Sequence, residues 1–374
     1  MSPKTCHAWE TIRPEIKAFE PYVPGRSIAD IRREVGLPQV VKMASNENPL
    51  GVSPLVKKTL QRRTDLVFRY PSPNSPELTA ALSRHLQVPE DRFVIGNGSD
   101  EIIDLLIRVL ARPGQDRIII FDPSFSIYRL QARLCGVELT QIPLNPDFSF
   151  PFSQLLQEAD ETTAMVFITN PDNPSGYTAD KDELVSLAAS LPGKTMLIVD
   201  EAYIEFADDP GLHSPLFDLE RLENVVLLRT FSKLYGLAGL RLGYGIMPAW
   251  LTDLLHRVKL PFSVNLLAEA AGLSALEDTF FVQATRETVL QGRRMLAHKL
   301  KKLGWKVYPS QANFLLVQPS LPAASLVKEM VQKGYIIRAL DSYGLFDHVR
   351  ISIGTEAENR GLLLACREIQ DKYA

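Results

Sequence analysis

The sequence predicts an α/β fold: a large domain with a mostly parallel sheet sandwiched by helices, and a smaller α+β domain after it. Three observations carry this. Short, uniformly apolar runs alternate with amphipathic stretches between about residues 93 and 247. The last third instead mixes long helical periodicity with strands. At 374 residues, the chain also exceeds the size at which one hydrophobic core stops growing.

In chain order, "RFVIGNG" reads as a strand running into "SDEIIDLLIRVLAR", where Ile102, Ile103, Leu106, Val109 and Leu110 fall on one helical stripe. "DRIIIFD", "TAMVFITN", "KTMLIVDEAY" and "NVVLLRTFS" follow as short apolar runs bounded by polar residues. Strands this apolar are buried on both faces, which requires a largely parallel sheet under helices. "RETVLQGRRMLAHKLKKLGW" is then a long helix, "KVYPSQANFLLVQP" and "HVRISIG" are strands, and "ENRGLLLACREIQDKY" is a closing helix. A boundary near Pro261 to Asn265 gives a large domain over 46–262, with 1–45 and 263–374 in the small one.

The composition is that of an ordinary globular protein, 45% hydrophobic and 23% charged with a net charge of −3. Lys plus Arg (41) nearly balance Asp plus Glu (44), and no basic run tracks a phosphate backbone, so nucleic acid is not an expected partner. Cys6, Cys135 and Cys366 are far apart and lack the paired spacing of a zinc site, so no metal is expected and the thiols read as free. No apolar segment reaches membrane-spanning length, and a soluble, cytoplasmic protein is expected.

In an open α/β sheet, ligands bind beyond the carboxyl ends of the strands, and those ends are unusually polar here. They read "GNGSDE" (96–101), "NPDNPSG" (170–176), "DEAY" (200–203) and "TFSK" (230–233), with Arg241 shortly after. Each has a local explanation as a turn, a helix cap or a solvated strand end. Together they describe a pocket for an anionic, aromatic, carbonyl-bearing ligand. A helix starting near Gly98 offers backbone N–H groups to a phosphate, provided that Asp100 and Glu101 point away or are neutralised. Thr230, Ser232 and Arg241 can bind the same group, Lys233 can form a Schiff base with an aldehyde, and Asp200 can keep a pyridine nitrogen protonated.

These motifs, "NPDNPSG", "DEAYIEF" and "TFSKLYGLAGLRLGYG", resemble the signatures of fold-type-I pyridoxal-phosphate aminotransferases. "IRPEIKAFEPYVPG", "KMASNENPLG", "RYPSP" and "RISIG" are similar to histidinol-phosphate aminotransferases. The resemblance implies pyridoxal 5'-phosphate bound covalently to Lys233, which also moves a proton between substrate and cofactor. It implies Asp200 at the pyridine nitrogen, with Asn173 and Tyr203 at the phenolic oxygen. Phe125 stacks on the ring, where the family often has tyrosine. Thr230, Ser232, Arg241 and the backbone of Ser99 and Asp100 hold the phosphate. Tyr70 reaches the cofactor of a neighbouring subunit, which implies a homodimer with shared active sites.

The resemblance also assigns the substrate anion to Arg350, assisted by Arg338 and Tyr22. Period-two alternation in "HVRISIG" puts Val349, Ile351 and Ile353 on one face and Arg350 and Ser352 on the other. Phe346 departs from the proline common at that place in relatives. An arginine fork suits a phosphate monoester and an α-carboxylate alike. The implied reaction is amino transfer from L-histidinol phosphate to 2-oxoglutarate, with an aromatic (Phe/Tyr) aminotransferase or an amino-acid-phosphate decarboxylase as alternatives. A ligand-sensing transcription regulator on the same scaffold would need a DNA-binding module, and the proline-punctuated residues before "KMASNENPLG" do not read as one.

Overall fold

The computed structural model describes residues 7–17, 19, 31–33, 36–37 and 39–373. Tyr22 and Cys6 lie outside them. In chain order the main helices are α1 (His7–Glu10), α2 (Pro14–Lys17), α3 (Pro54–Arg63), α4 (Pro76–Leu86), α5 (Gly98–Leu110), α6 (Ser126–Cys135), α7 (Phe152–Glu158), α8 (Lys181–Ser190), α9 (Ala249–Val258), α10 (Leu266–Glu277), α11 (Thr279–Lys302), α12 (Ala323–Gln332) and α13 (Glu356–Tyr373). The strands are β1 (Val41–Met43), β2 (Phe93–Asn97), β3 (Arg117–Asp122), β4 (Glu138–Pro143), β5 (Thr163–Thr169), β6 (Met196–Asp200), β7 (Val225–Thr230), β8 (Leu242–Ile246), β9 (Lys306–Val307), β10 (Phe314–Gln318), β11 (Tyr335–Ala339) and β12 (Val349–Ser352).

Seven strands form the large sheet in the order β2-β8-β7-β6-β5-β3-β4, parallel from β7 to β4, with β8 antiparallel to both its neighbours. Alternation along the strands sorts their side chains into two cores. Ile118, Ile120, Phe167, Ile198, Val226 and Leu228 pack with Ile102, Ile103 and Leu106 of α5. Ile119, Phe121, Val166, Leu197, Val199 and Leu227 face the opposite layer, which includes Leu184 and Leu187 of α8. Burial of such side chains is worth about 1.5–3 kcal/mol each, so the sheet and its two helical layers form one rigid platform.

Two strands of the large sheet are not evident in the sequence. β4 is an edge strand in which only Ile142 is buried, and β8 (LGYGI) is broken by two glycines, so neither shows a clean apolar run. The smaller sheet has five strands in the order β1-β11-β12-β10-β9. In it, β1 runs parallel to β11, pairing Val41 with Tyr335 and Met43 with Ile337.

Register aligns the functional edge. Thr169 pairs with Asp200, Asp200 with Leu228, Thr230 with Gly243, and Asn97 with Leu242. The polar strand ends therefore finish side by side, at the mouth of one cleft.

Candidate active site

The cleft is a cavity of about 150 Å³ at that edge. Ten of the sequence-predicted residues line it: Ser99, Asp100, Phe125, Asn173, Asp200, Tyr203, Thr230, Ser232, Lys233 and Arg241. Arg350 adjoins it through a hydrogen bond to Asn173. Arg338 lines a neighbouring cavity, and Tyr70 lies elsewhere, exposed and stacked on Phe262 with ring centroids 4.9 Å apart.

At the floor, β6 ends in Asp200, whose carboxylate is buried. Tyr128 donates to its Oδ2 at 2.8 Å and the Ala202 N–H to its Oδ1 at 3.1 Å. Burial raises its pKa to about 6, against the lowering effect of the Tyr128 bond. No cation pairs with this carboxylate among the described residues. A buried carboxylate without a counter-ion is held at a cost, and it fits a ligand that brings a positive charge to this end of the cleft.

At the opposite end, the N-terminus of α5 meets Arg241, which takes a left-handed conformation (φ 56°) after the short turn Ala238–Leu240. Arg241 Nη2 donates to Asp100 Oδ2 at 3.0 Å, so the acidic residue is neutralised by the arginine. Thr230 donates to Ser232 Oγ at 3.0 Å and accepts from the Ser232 N–H at 3.1 Å, holding the two hydroxyls together. Gly243 makes this approach possible: a Cβ there would lie 2.5 Å from the Ser99 nitrogen and 2.7 Å from the Gly98 carbonyl carbon.

Between the two ends, Lys233 Nζ donates to the Ser45 carbonyl at 3.3 Å and lies 5.6 Å from the centre of the Tyr203 ring. Burial, then the charges of Arg350 and Arg241, lowers its pKa from 10.5 to about 8. About a tenth of the amine is thus neutral and nucleophilic at pH 7, far more than for an ordinary lysine. The loop after β1 covers this lysine. Asn48 donates to the Leu234 carbonyl at 2.7 Å, and Gly236 (φ 70°) lies so close to the Gly51 carbonyl that no side chain fits between them.

Arg350 lies buried on β12 and donates to Asn173 Oδ1 and, at 2.9 Å, to the Ala44 carbonyl, while its buried Nε has no partner. The strand alternation read from the sequence does not separate a dry face from a wet one, because all four residues of β12 are buried. Both faces are covered, so the arginine is buried along with the valine and isoleucine beside it.

The sequence reading missed several members of the site. Tyr128 lies on α6 three residues after Phe125, with its ring stacked on Phe167 at 4.8 Å, and Thr169 shares its hydroxyl at 2.8 Å. Asn46 (φ 55°) donates to the Tyr203 hydroxyl at 3.1 Å and accepts from Ser352 at 2.8 Å. Asn46 was visible only as one letter of "KMASNENPLG".

The family model for aminotransferase class I and II matches residues 38–365. The chain belongs to this family. Two curated histidinol-phosphate aminotransferases are similar to this aminotransferase over almost its whole length. The one from Nitratidesulfovibrio vulgaris is 52% identical over 96% of either chain. The one from Oleidesulfovibrio alaskensis is 50% identical over 96% of this chain and 94% of its own. Among solved structures, histidinol-phosphate aminotransferase from Sinorhizobium meliloti in complex with pyridoxal-5'-phosphate superposes with a TM-score of 0.88 at 25% identity, covering 97% of this chain and 98% of its own. By sequence this aminotransferase belongs with the histidinol-phosphate aminotransferases, and its fold is that of the pyridoxal-phosphate enzymes. Its cleft fits that cofactor: a carboxylate lacking a counter-ion at one end, hydroxyls, a guanidinium and helix N–H groups at the other, and a depressed lysine between.

Proposed function

We propose that this chain transfers the amino group of L-histidinol phosphate to 2-oxoglutarate, giving imidazole acetol phosphate and glutamate, a step of histidine biosynthesis. The observation that carries the reading is the placement of Lys233, with its lowered pKa, in one cleft with Asp200, which lacks a counter-ion, and with Asn173, which accepts from the buried Arg350. The 50–52% identity to the two curated relatives favours this donor over an aromatic amino acid.

Pyridoxal phosphate, when bound, supplies an aldehyde carbon for amines and a ring that withdraws electrons from the substrate's α-carbon. Lys233 would hold it covalently, and its amine would take and return a proton at Nζ, a role suited to a group that titrates near working pH. Asp200, fixed by Tyr128 and Ala202, holds the ring nitrogen protonated. Asn173 and Tyr203 bind the phenolic oxygen, and Phe125 packs on the ring face. Thr230, Ser232, Arg241 and the N–H groups of Ser99 and Asp100 bind the cofactor phosphate, for which Arg241 must exchange its bond to Asp100. Arg350, with Arg338 and Tyr22, grips the substrate's anionic group, with Nε of Arg350 free to donate.

The reading extends to a homodimer in which Tyr70 reaches the partner's cofactor phosphate. Support comes from the exposed apolar cluster around Tyr70, with Val67, Phe68, Leu260 and Phe262. We place the enzyme in the cytoplasm and assign 46–262 to its cofactor-binding domain. Among the described residues no helix is long and apolar enough to cross a membrane.

The test is a half-reaction. Histidinol phosphate, phenylalanine or tyrosine is added separately to the cofactor-loaded protein while the cofactor absorbance is followed. Bleaching at far lower concentration with histidinol phosphate is expected. An equal or better response to the aromatic acids would overturn the donor assignment.

A further inference from the structure

A second cavity, of about 450 Å³, opens beside the cleft, and Phe125 lines both. Its walls come from α6 on one side and the segment after β11 on the other. Three arginines face it, Arg129, Arg133 and Arg338, against one carboxylate, Asp122, which already accepts from Gln141 at 3.2 Å. None of the three arginines makes an ion pair or a side-chain hydrogen bond among the described residues. That is unusual in a chain where Arg108, Arg112, Arg221, Arg257 and Arg360 each pair with a carboxylate three or four residues away.

The arrangement opposes stability twice. Arg129 and Arg133 stand at i and i+4 on one helix face, where like charges repel by about 0.2–0.5 kcal/mol. Arg338 is paired directly with Arg350 in the antiparallel register of β11 and β12, which puts both side chains on one face of the sheet. The four guanidiniums thus run from the exposed rim at Arg133, through the half-buried Arg129 and Arg338, to the buried Arg350. An anion relieves repulsion at every step of that path.

Resting on the function proposed above, we propose that Arg129 and Arg133 are positioning residues for the substrates: with Arg338 they form a cationic vestibule that draws phosphate monoesters and dicarboxylates toward Arg350. A cleft lined by one sign of charge concentrates counter-ions and raises association rates by about 10- to 1,000-fold, an effect that salt erases. The vestibule acts before chemistry, on entry.

The test compares wild type, Arg129→Gln/Arg133→Gln and Arg129→Lys/Arg133→Lys in cofactor-loaded form. kcat/KM for the dianion 2-oxoglutarate is measured from about 10 mM to about 0.5 M ionic strength, limits at which charges act over roughly 30 Å and only a few Å. The glutamine variant should lose on the order of 10-fold at low salt, show a flatter salt slope, and converge on wild type at high salt. The lysine variant should keep the wild-type slope, since it keeps the charge. Equal salt slopes in wild type and the glutamine variant would overturn the vestibule, as would a loss that persists at high salt or that lysine fails to rescue. Failure of wild type to accept histidinol phosphate would instead strike the proposed donor, leaving the 2-oxoglutarate comparison to decide the vestibule.

Discussion

Replacing Lys233 by methionine should make the cofactor-free protein more stable, and only below alkaline pH. The fold lowers this amine's pKa from 10.5 to about 8, chiefly by burial, so the charged form is disfavoured in the native state. That drop corresponds to about 3 kcal/mol of stability lost wherever the lysine is protonated in both folded and unfolded chains. The sign follows from the lowered folded-state value. The penalty is complete below pH about 8, shrinks as pH rises toward 10.5, and vanishes above it. At pH 7 about 3 kcal/mol is at stake, and at pH 10 about 1 kcal/mol. Methionine keeps the apolar stem but loses the hydrogen bond to the Ser45 carbonyl, which costs about 1 kcal/mol at either pH. The net gain should be about 2 kcal/mol at pH 7 and close to zero at pH 10. Urea unfolding of both cofactor-free proteins, at fixed protein concentration, measures it. A gain that is the same at both pH values, or absent at pH 7, would refute the claim that burial prepares the amine for condensation.

Four further substitutions have expected outcomes. Tyr128→Phe removes the strongest support of the Asp200 carboxylate, a bond worth about 1.5–3 kcal/mol, so pyridoxal-phosphate affinity by fluorescence titration should fall by roughly 10- to 100-fold. Wild-type affinity should fade as pH drops through about 6, where Asp200 protonates, and that midpoint should move upward in the variant because the lost bond had held it down. Gly243→Ala drives a methyl into the backbone of Gly98 and Ser99, and should cost about 1–3 kcal/mol by urea unfolding together with cofactor affinity. Arg350→Lys replaces a fork with a point charge, and kcat/KM for histidinol phosphate should fall on the order of 100-fold. Arg229→Met strands the buried Glu201, whose carboxylate sits 2.8 Å from the guanidinium, and should cost about 3–5 kcal/mol of stability, partly restored by adding Glu201→Gln.

Residues whose chemistry is tied to a strand end were legible in the sequence. Asp200, Thr230 and Lys233 each follow an apolar run, and such runs announce both the strand and where it stops. Tyr128 was not legible, since it reads as one more core aromatic on α6 until the fold brings Asp200 beneath its hydroxyl. Asn46 was hidden for a similar reason, because its partners are Tyr203, in the segment after β6, and Ser352 on β12 of the smaller sheet, both far from it in sequence. The antiparallel insertion of β8 was equally silent: Gly243 and Gly245 dilute its apolar pattern, though the same glycines let α5 approach the sheet. For Arg350, alternation marks a side of the strand but carries no information on what covers that side.

The pairing of β1 with β11, described above as a point of register, also sets an order of events during synthesis. The loop that follows β1 covers Lys233 and supplies Asn46, yet its anchor, Tyr335–Ile337, emerges from the ribosome long after it, behind the whole of the large sheet. The large sheet, complete by Ile246, can form while that loop still lacks its anchor. A nascent chain therefore presents an uncovered lysine until β11 arrives, and capture of the cofactor reports that two segments far apart in the sequence have met.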